Sequence, residues 1–344
     1  MNFSDTLISW YEENKRNLPW RNTDNPYFIW LSEIILQQTR VKQGLPYYNK
    51  FVEAYPTIKD LAQAPEDEVF RLWQGLGYYS RAKNMLHTAK TILDKYAGNF
   101  PETYQELLGL KGVGKYTAAA IASFAFGEEV AVLDGNVFRV LARFQGIFTD
   151  IASKEGHNEF FDLAQKMLPK GKSAAYNQAI MEFGALQCTP QKPNCMFCPL
   201  QSACYAYLHQ AQENLPVKIS KIRSKERFFL YQIFHFEDKI ALKKRVTGDI
   251  WENLYDFYLL EHNTKNELEN FFGEEVWHLS EVFKHQLTHQ KLWIRFAHIH
   301  LKKEDKLQDI DTNMRWFTIS ETFNLPKPIL IAKYLNELFK EKRT

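Results

Sequence analysis

The chain has 344 residues, 45% of them hydrophobic, with 43 Lys and Arg against 41 Asp and Glu for a formal net charge of +2. That length supports a sizeable core and about two domains, and the near balance of charge excludes a protein that holds nucleic acid by bulk positive charge alone. No apolar run approaches the ~20 residues of a membrane-spanning helix, and MNFSDTLISWYEENKR is polar and amphipathic rather than a signal peptide, so a cytoplasmic protein with no membrane partner is expected.

Up to about residue 220 apolar residues recur at helical spacing, as at Leu31, Ile34 and Ile35 or Ala118, Ile121, Ala122 and Ala125. The turn Leu18-Pro19-Trp20-Arg21 precedes a helix that Asn25 caps and Pro26 opens. On that helix Trp30, Glu33 and Gln37 share one stripe; a solvated amphipathic face is the simpler reading of Glu33 alone. Residues 101–109 predict a short helix opening at Pro101, and 116–126 a helix of small residues stopped by Gly127. Between them Gly112 and Gly114 would bring backbone N–H groups and Lys115 close to an anion at a helix N-terminus. A tight turn between packed helices explains the same pattern. Twenty residues on, Val132-Leu133-Asp134-Gly135-Asn136 places Asp134 at a helix start, where an N-cap role alone is worth about 1 kcal/mol.

All four cysteines follow within CTPQKPNCMFCPLQSAC, spaced C-x6-C-x2-C-x5-C. Cys188, Cys195, Cys198 and Cys204 suit a [4Fe–4S] cluster, which takes four thiolates. Structural zinc more often uses two short pairs, and only Cys195 and Cys198 form one. Two disulfides are the third possibility, disfavoured in a chain long enough to build its own core. Residues 210–226, with spaced positive charges, predict an interdomain linker. Beyond it come strand-like runs at Arg227 to Phe236, Ile240 to Lys244 and Leu292 to Leu301, then a helix from about Pro328 to Lys340, an α+β composition. His298 and His300 alternate on one strand face, a pattern that two metal ligands would share.

The ordered set of glycine-rich hairpin, downstream Asp and cysteine loop resembles the endonuclease III, or helix-hairpin-helix, superfamily of DNA glycosylases. Within it, Trp30-Leu31-Ser32-Glu33-Ile34-Ile35-Leu36-Gln37-Gln38-Thr39 resembles the catalytic helix of MutY-type adenine glycosylases. Gly75-Leu76-Gly77-Tyr78-Tyr79-Ser80-Arg81-Ala82 resembles their duplex-probing loop, and Asn177-Gln178-Ala179 also fits. The resemblance implies a multidomain chain: an all-α helix-hairpin-helix domain over 1–209 with an iron–sulfur loop at 188–204, and an α+β MutT/Nudix-like domain over 227–344. It implies Glu33 as acid at N7 of adenine, Asp134 as the carboxylate facing the sugar cation, and Asn136 and Tyr116 beside them. Trp20, Arg21 and Gln178 would line the adenine pocket, and Gln37 and Thr39 would contact the DNA substrate. Gln38 and Tyr78 would be wedges, although a tyrosine viewed alone is as readily a core residue.

Bifunctional members carry a lysine two residues after the second hairpin glycine; here that residue is Tyr116, and Lys115 sits one earlier, which implies a monofunctional glycosylase. The usual hairpin proline is Lys111. The C-terminal domain lacks the G-x5-E-x7-R-E-x2-E-E run, so recognition without pyrophosphate hydrolysis is expected. The family's Phe-Ser-His reader of 8-oxoguanine best matches Leu287-Thr288-His289, with Phe283-Lys284-His285 as a competing frame. The expected partner is double-stranded DNA with A·8-oxoG or A·G mispairs, bound by a monomer. A thymine glycosylase of the same superfamily is the alternative, and a non-enzymatic damage binder a further one.

Overall fold

The computed structural model describes residues 2–219, 224–246, 248–304 and 306–339. It divides into two compact units, Met1–Gln63 with Asn84–Ser220, and Ala64–Lys83 with Lys221–Thr344. Residues 64–83 thus cluster with the C-terminal strands and not with the helices that flank them in sequence. Part of the expected linker, with Lys221 and Arg223, lies outside the described residues, as does Lys340 of the expected final helix.

The first unit is helical: α1 (Phe3–Asn14), α2 (Pro26–Leu36), α3 (Val41–Ala54), α4 (Ile58–Gln63), most of α6 (Ser80–Tyr96), α7 (Tyr104–Leu107), α8 (Lys115–Phe126), α9 (Gly135–Gln145), α10 (Lys154–Met167), α11 (Ser173–Leu186) and α12 (Tyr205–Leu208). Local chemistry sets the ends. Asn25 Oδ1 accepts from Tyr27 N at 2.9 Å to start α2, and Gly127 closes α8 at φ 70°, in the left-handed region. The helix expected from Pro101 begins only at Tyr104, because Thr103 is its cap and accepts from Glu106 N. Ala118, Ala119, Ala120 and Ala122 of α8 are buried and let α2 and α11 approach it closely, while α9 and α1 pack on α11. Trp30, Ile35, Phe51, Leu141 and Phe183 form the core. Four of these helices, α2, α8, α9 and α11, therefore converge around one region.

The second unit begins with α5 (Glu66–Trp73) and is built on a sheet of eight strands among the described residues. These are β1 (Lys225–Phe236), β2 (Lys239–Lys244), β3 (Tyr255–Asp256), β4 (Tyr258–His262), β5 (Val276–Leu279), β6 (Phe283–Gln286), β7 (Gln290–His300) and β8 (Arg315–Thr318), with α13 (Lys265–Glu269), α14 (Lys306–Ile310), α15 (Ile319–Asn324) and α16 (Ile329–Leu338). Strand β1 starts at Lys225, inside the expected linker. It runs parallel to β7 from Lys225↔Gln290 to His235↔His300, and all other pairings are antiparallel. Both faces of this central pair are buried, which explains the near-continuous apolar runs. Phe229, Tyr231 and Phe296 pack under Ile331 and Leu335 of α16, and Leu230 and Ala297 pack beside Leu268 of α13.

His298 and His300 do share a strand face, with His235 of β1 beside them. His235 Nε2 lies 2.9 Å from His298 Nδ1, and His298 Nε2 lies 2.7 Å from the Tyr334 hydroxyl of α16. Burial, reinforced by the neighbouring histidines, pushes His298 down to about 3. Among the described residues no group of three or more His, Cys, Asp or Glu converges tightly enough for a single metal ion.

Candidate active site

The helical unit encloses a cleft of about 950 Å³ whose walls include Trp20, Arg21, Glu33, Tyr116, Asp134 and Gln178. It also takes in Gln37, Gln38 and Thr39, at the end of α2, and Asn136. Residues as far apart in sequence as Trp20 and Gln178 thus meet in one place. Gln37 is the C-cap of α2 and its Nε2 donates to Thr117 Oγ1 at 3.4 Å. Gln38 follows at φ 55°, an uncommon conformation for a residue other than glycine.

Glu33 is buried, which settles its place on the inner face of α2. Burial pushes its carboxyl up to about 7; the neighbouring Tyr116 hydroxyl, which donates to Met181 Sδ at 3.9 Å, pulls down, Asp134 pushes up, and Arg21 pulls down. Tyr116, the second residue of α8, is raised well above the ordinary phenol range by burial and by the nearby carboxylates.

Asp134 is the N-cap of α9, as a purely structural reading would have it, and it also faces the cleft. Its Oδ1 accepts from Asn136 N and Val137 N, both at 2.8 Å, and Oδ2 accepts from Asn136 Nδ2 at 2.7 Å. Burial raises its pKa, while these donors and Arg139 oppose the rise. The two carboxyls therefore differ in kind: Glu33 has only a phenol nearby, whereas Asp134 sits on three N–H donors at the positive end of a helix.

The back of the cleft holds an arrangement that sequence reasoning missed. Glu182 of α11, fully buried, accepts from Arg16 Nε and Nη2 at 2.7 and 2.5 Å and from Arg21 Nη1 and Nη2 at 2.8 and 2.6 Å. Tyr11, under the Arg21 guanidinium, donates its hydroxyl to Gln178 Oε1 at 2.6 Å. The available signal was helical spacing: Glu182 stands four residues after Gln178, on the same face.

At the hairpin, Gly112 has φ 80°, and a Cβ there would lie 2.8 Å from Asn84 Cβ, so the close turn requires glycine. Gly114 is the N-cap of α8 with open space around it, and Lys115 is exposed beside it.

Cys188, Cys195, Cys198 and Cys204 line a single cavity together with Phe144, Phe183 and other side chains. All four are free thiols. Burial pushes Cys198 up to about 11 and raises Cys195 and Cys204, and the other cysteines add to each rise. The four thiols share this one cavity, the donor set a thiolate-held centre would take, but among the described residues they do not converge to the distance that binds a metal ion. The loop is pinned from α9: Arg139 Nε donates to Cys188 O at 2.7 Å, and Arg143 donates to Thr189 O, Pro190 O and Leu215 O and approaches Cys188 Sγ at 3.5 Å.

In the second unit Leu287, Thr288 and His289 form the tip between β6 and β7, closed by Leu287 N donating to Gln290 O at 2.8 Å. The competing frame Phe283-Lys284-His285 lies within β6, paired to β7. Leu287 packs against the sheet core, so Thr288 and His289 are the exposed pair. Tyr78 is 37% exposed, not a core residue, and its hydroxyl is hydrogen-bonded to Thr288. Both border a cavity of about 450 Å³ within this unit.

Burial alone would push Glu182 up, but the Arg16 and Arg21 bonds prevail and hold it at about 2. Its stabilising contribution is then complete above the ordinary carboxylate value and is lost as pH falls towards 2. Glu182→Gln should lower unfolding free energy at neutral pH by roughly 3 kcal/mol, since it strands two guanidinium groups. Denaturant titration at several pH values checks this, and the variant should show a weaker loss of stability in acid than the parent.

Comparison with known proteins agrees with this architecture. Residues 31–166 match the HhH-GPD superfamily of base excision DNA repair proteins, and residues 230–337 match the NUDIX domain. The adenine DNA glycosylase of Buchnera aphidicola subsp. Baizongia pistaciae is 35% identical over 343 residues, covering 95% of this chain and 94% of that protein. That of Rattus norvegicus is 44% identical over 224 residues, 62% of this chain and 43% of that protein. Among solved structures, a thermostable thymine-DNA glycosylase aligns with TM-score 0.56 at 32% identity, over 60% of this chain and 95% of its own. An endonuclease III–DNA complex aligns with TM-score 0.53 at 25% identity, over 61% and 95%. Similarity along the full length to enzymes of one kind, with a helical unit followed by a Nudix-like one, establishes that the chain belongs to the adenine DNA glycosylase family.

Proposed function

We propose that this chain is an adenine DNA glycosylase that hydrolyses the N-glycosidic bond of adenine mispaired with 8-oxoguanine or guanine, as a monomer on duplex DNA, and leaves the strand uncut. The observation that carries the chemistry is one cleft holding two carboxyls in contrasting environments, Glu33 pushed to about 7 and Asp134 on a helix N-terminus. Full-length relatives named for adenine, and the Nudix-like unit, favour this over a thymine glycosylase despite the likeness to one in fold.

In the proposed mechanism the target adenine leaves the base stack and enters the cleft past Trp20, Arg21 and Gln178. Gln38, at positive φ, fills the space it vacates, and Tyr78, also at positive φ, serves as a wedge against the duplex. Glu33 transfers its proton to N7, the C1′–N9 bond breaks, and its electron pair leaves with the base. The Asp134 carboxylate faces the oxocarbenium-like sugar, held there by Asn136. Glu33, now ionised, takes a proton from water as its oxygen adds to C1′, which restores the acid. Tyr116 keeps the Glu33 carboxyl oriented. No amine stands at its position, so no Schiff base forms and no strand is cut. The Gly112–Lys115 turn would bind backbone phosphate. Cys188, Cys195, Cys198 and Cys204 would hold a [4Fe–4S] cluster, which supplies a covalent tie for the loop. Thr288 and His289 would read the oxidised guanine.

A carboxyl with a raised folded pKa binds its proton more tightly when folded, so its stability cost is absent below the ordinary value and complete above about 7. The single-turnover rate of adenine release should be flat just below pH 7 and fall about tenfold per unit above it. Glu33→Gln should abolish excision yet raise stability at pH ~8 by up to roughly 3 kcal/mol. A variant that excises normally would refute the role of Glu33. Wild-type product strands should break only after alkali.

The purified protein should absorb broadly near ~400 nm and contain about four iron atoms per chain. Stoichiometric zinc without iron would exclude the cluster.

Thr288→Ala with His289→Ala should lower the preference for A·8-oxoG over A·G by up to about a hundredfold, since each lost hydrogen bond to a buried group costs ~1–3 kcal/mol. Adenine release from A·G duplexes should change much less. Unchanged preference would remove this tip as the reader.

A further inference from the structure

We propose that Arg81 is the positioning residue of Tyr78, holding that side chain in the conformation with which it probes the duplex; this rests on the reading of Tyr78 as a probe. The loop before Tyr78 has little conformational preference of its own. Gly75 and Gly77 sit at φ 104° and 70°, and Tyr78 itself at 46°, a region that side chains other than glycine rarely adopt. Something outside the loop must therefore select its shape. Two side chains do so. Trp73 Nε1 donates to Gly77 O at 3.0 Å, and Arg81 Nη2 donates to Leu76 O at 3.1 Å and Gly77 O at 3.3 Å.

Arg81 also spans the rings on both sides of the loop. Its guanidinium carbon lies 5.0 Å from the Trp73 ring centroid and 5.7 Å from that of Tyr78. The residue is only 9% exposed, so these contacts form where water competes little. One planar group thus fixes the carbonyls that precede Tyr78 and one face of its ring, while Thr288 meets the hydroxyl at the far end. A lysine could carry the charge but neither the fork nor the plane. Leu76 O, Gly77 O and the rings of Trp73 and Tyr78, which Arg81 meets, include no position assigned to the reacting atoms. Its effect should travel through Tyr78 alone.

A double-mutant cycle on the full chain tests this, using Tyr78→Ala, Arg81→Met, Arg81→Lys and the double variant Tyr78→Ala with Arg81→Met. Duplexes carrying 2-aminopurine in place of the target adenine report unstacking by fluorescence, and single-turnover excision of adenine is followed at limiting and saturating enzyme. Tyr78→Ala and Arg81→Met should each weaken unstacking and limiting-enzyme excision about tenfold, the double variant no more than Tyr78→Ala, and Arg81→Lys should resemble Arg81→Met. The saturating rate should move less. Losses that multiply in the double variant would overturn the proposal, and so would wild-type behaviour of Arg81→Lys. Where Arg81→Met does not fold, Tyr78→Ala with Arg81→Lys completes the cycle. If Tyr78→Ala behaves as wild type, the reading of Tyr78 fails and the proposal with it, a result distinct from a cycle in which Tyr78 matters and Arg81 does not.

Discussion

The N-terminus of α9 is the constraint on which the helical unit's chemistry depends. Four unpaired N–H groups begin any helix, and here one carboxylate, Asp134, satisfies two of them. That bond is ordinary capping, yet it fixes the carboxylate's direction to within a rotamer and keeps it acceptor-rich at the edge of a cleft. The same helix carries Arg139, which donates to Asn136 Oδ1 at 2.8 Å, to Gly184 O at 2.7 Å and to Cys188 O. Asp134, α11 and the cysteine loop are therefore tied to one rigid element. Gly184 is part of this fit, because a Cβ there would meet Asn136 Cβ at 2.6 Å.

Three carboxyls around the cleft, two buried and Asp134 partly so, show how environment sorts identical chemistry. Glu182 has two guanidinium groups and is held at about 2; Glu33 has a phenol and is pushed to about 7; Asp134, with a helix terminus, rises against the pull of its donors. The first acts as scaffold, and its charge is spent on orienting Arg16 and Arg21. The second keeps a proton available near neutrality. Burial is common to all three, so the partner decides the outcome. Glu33 destabilises the folded chain at higher pH, the cost of ionising a carboxyl that burial has cut off from solvent.

The second unit follows a different logic. Its central parallel strands need cover on both faces, and α16 and α13 provide it. A hairpin tip at the end of β6 and β7 is then free to vary, which is where Thr288 and His289 stand. Residues 64–83 join this unit through tertiary contacts: Lys244 Nζ lies 2.7 Å from Asp67 Oδ1, Asn253 Nδ2 donates to Glu66 Oε1 at 3.0 Å, and Tyr78 meets Thr288.

Much of this was legible in the sequence. Spacing alone grouped the cysteines; Asn25 and Pro26 marked the start of α2, Gly127 the end of α8, and Asp134 the start of α9. These are local properties, set by backbone geometry and near neighbours, and they survive in any fold. The three long strands were legible because both their faces are apolar. The short strands β3, β4, β5, β6 and β8 were not, since their pairing, more than their composition, makes them strands. The partners of the charged groups were equally hidden. No periodicity links Glu182 to Arg16 across 166 residues, nor Arg81 to the ring of Tyr78 through a loop of glycines. The sequence by itself determined which residues could carry acid, base and metal chemistry. Only the tertiary structure decided their protonation and orientation, because both depend on burial and on charges brought near from far along the chain.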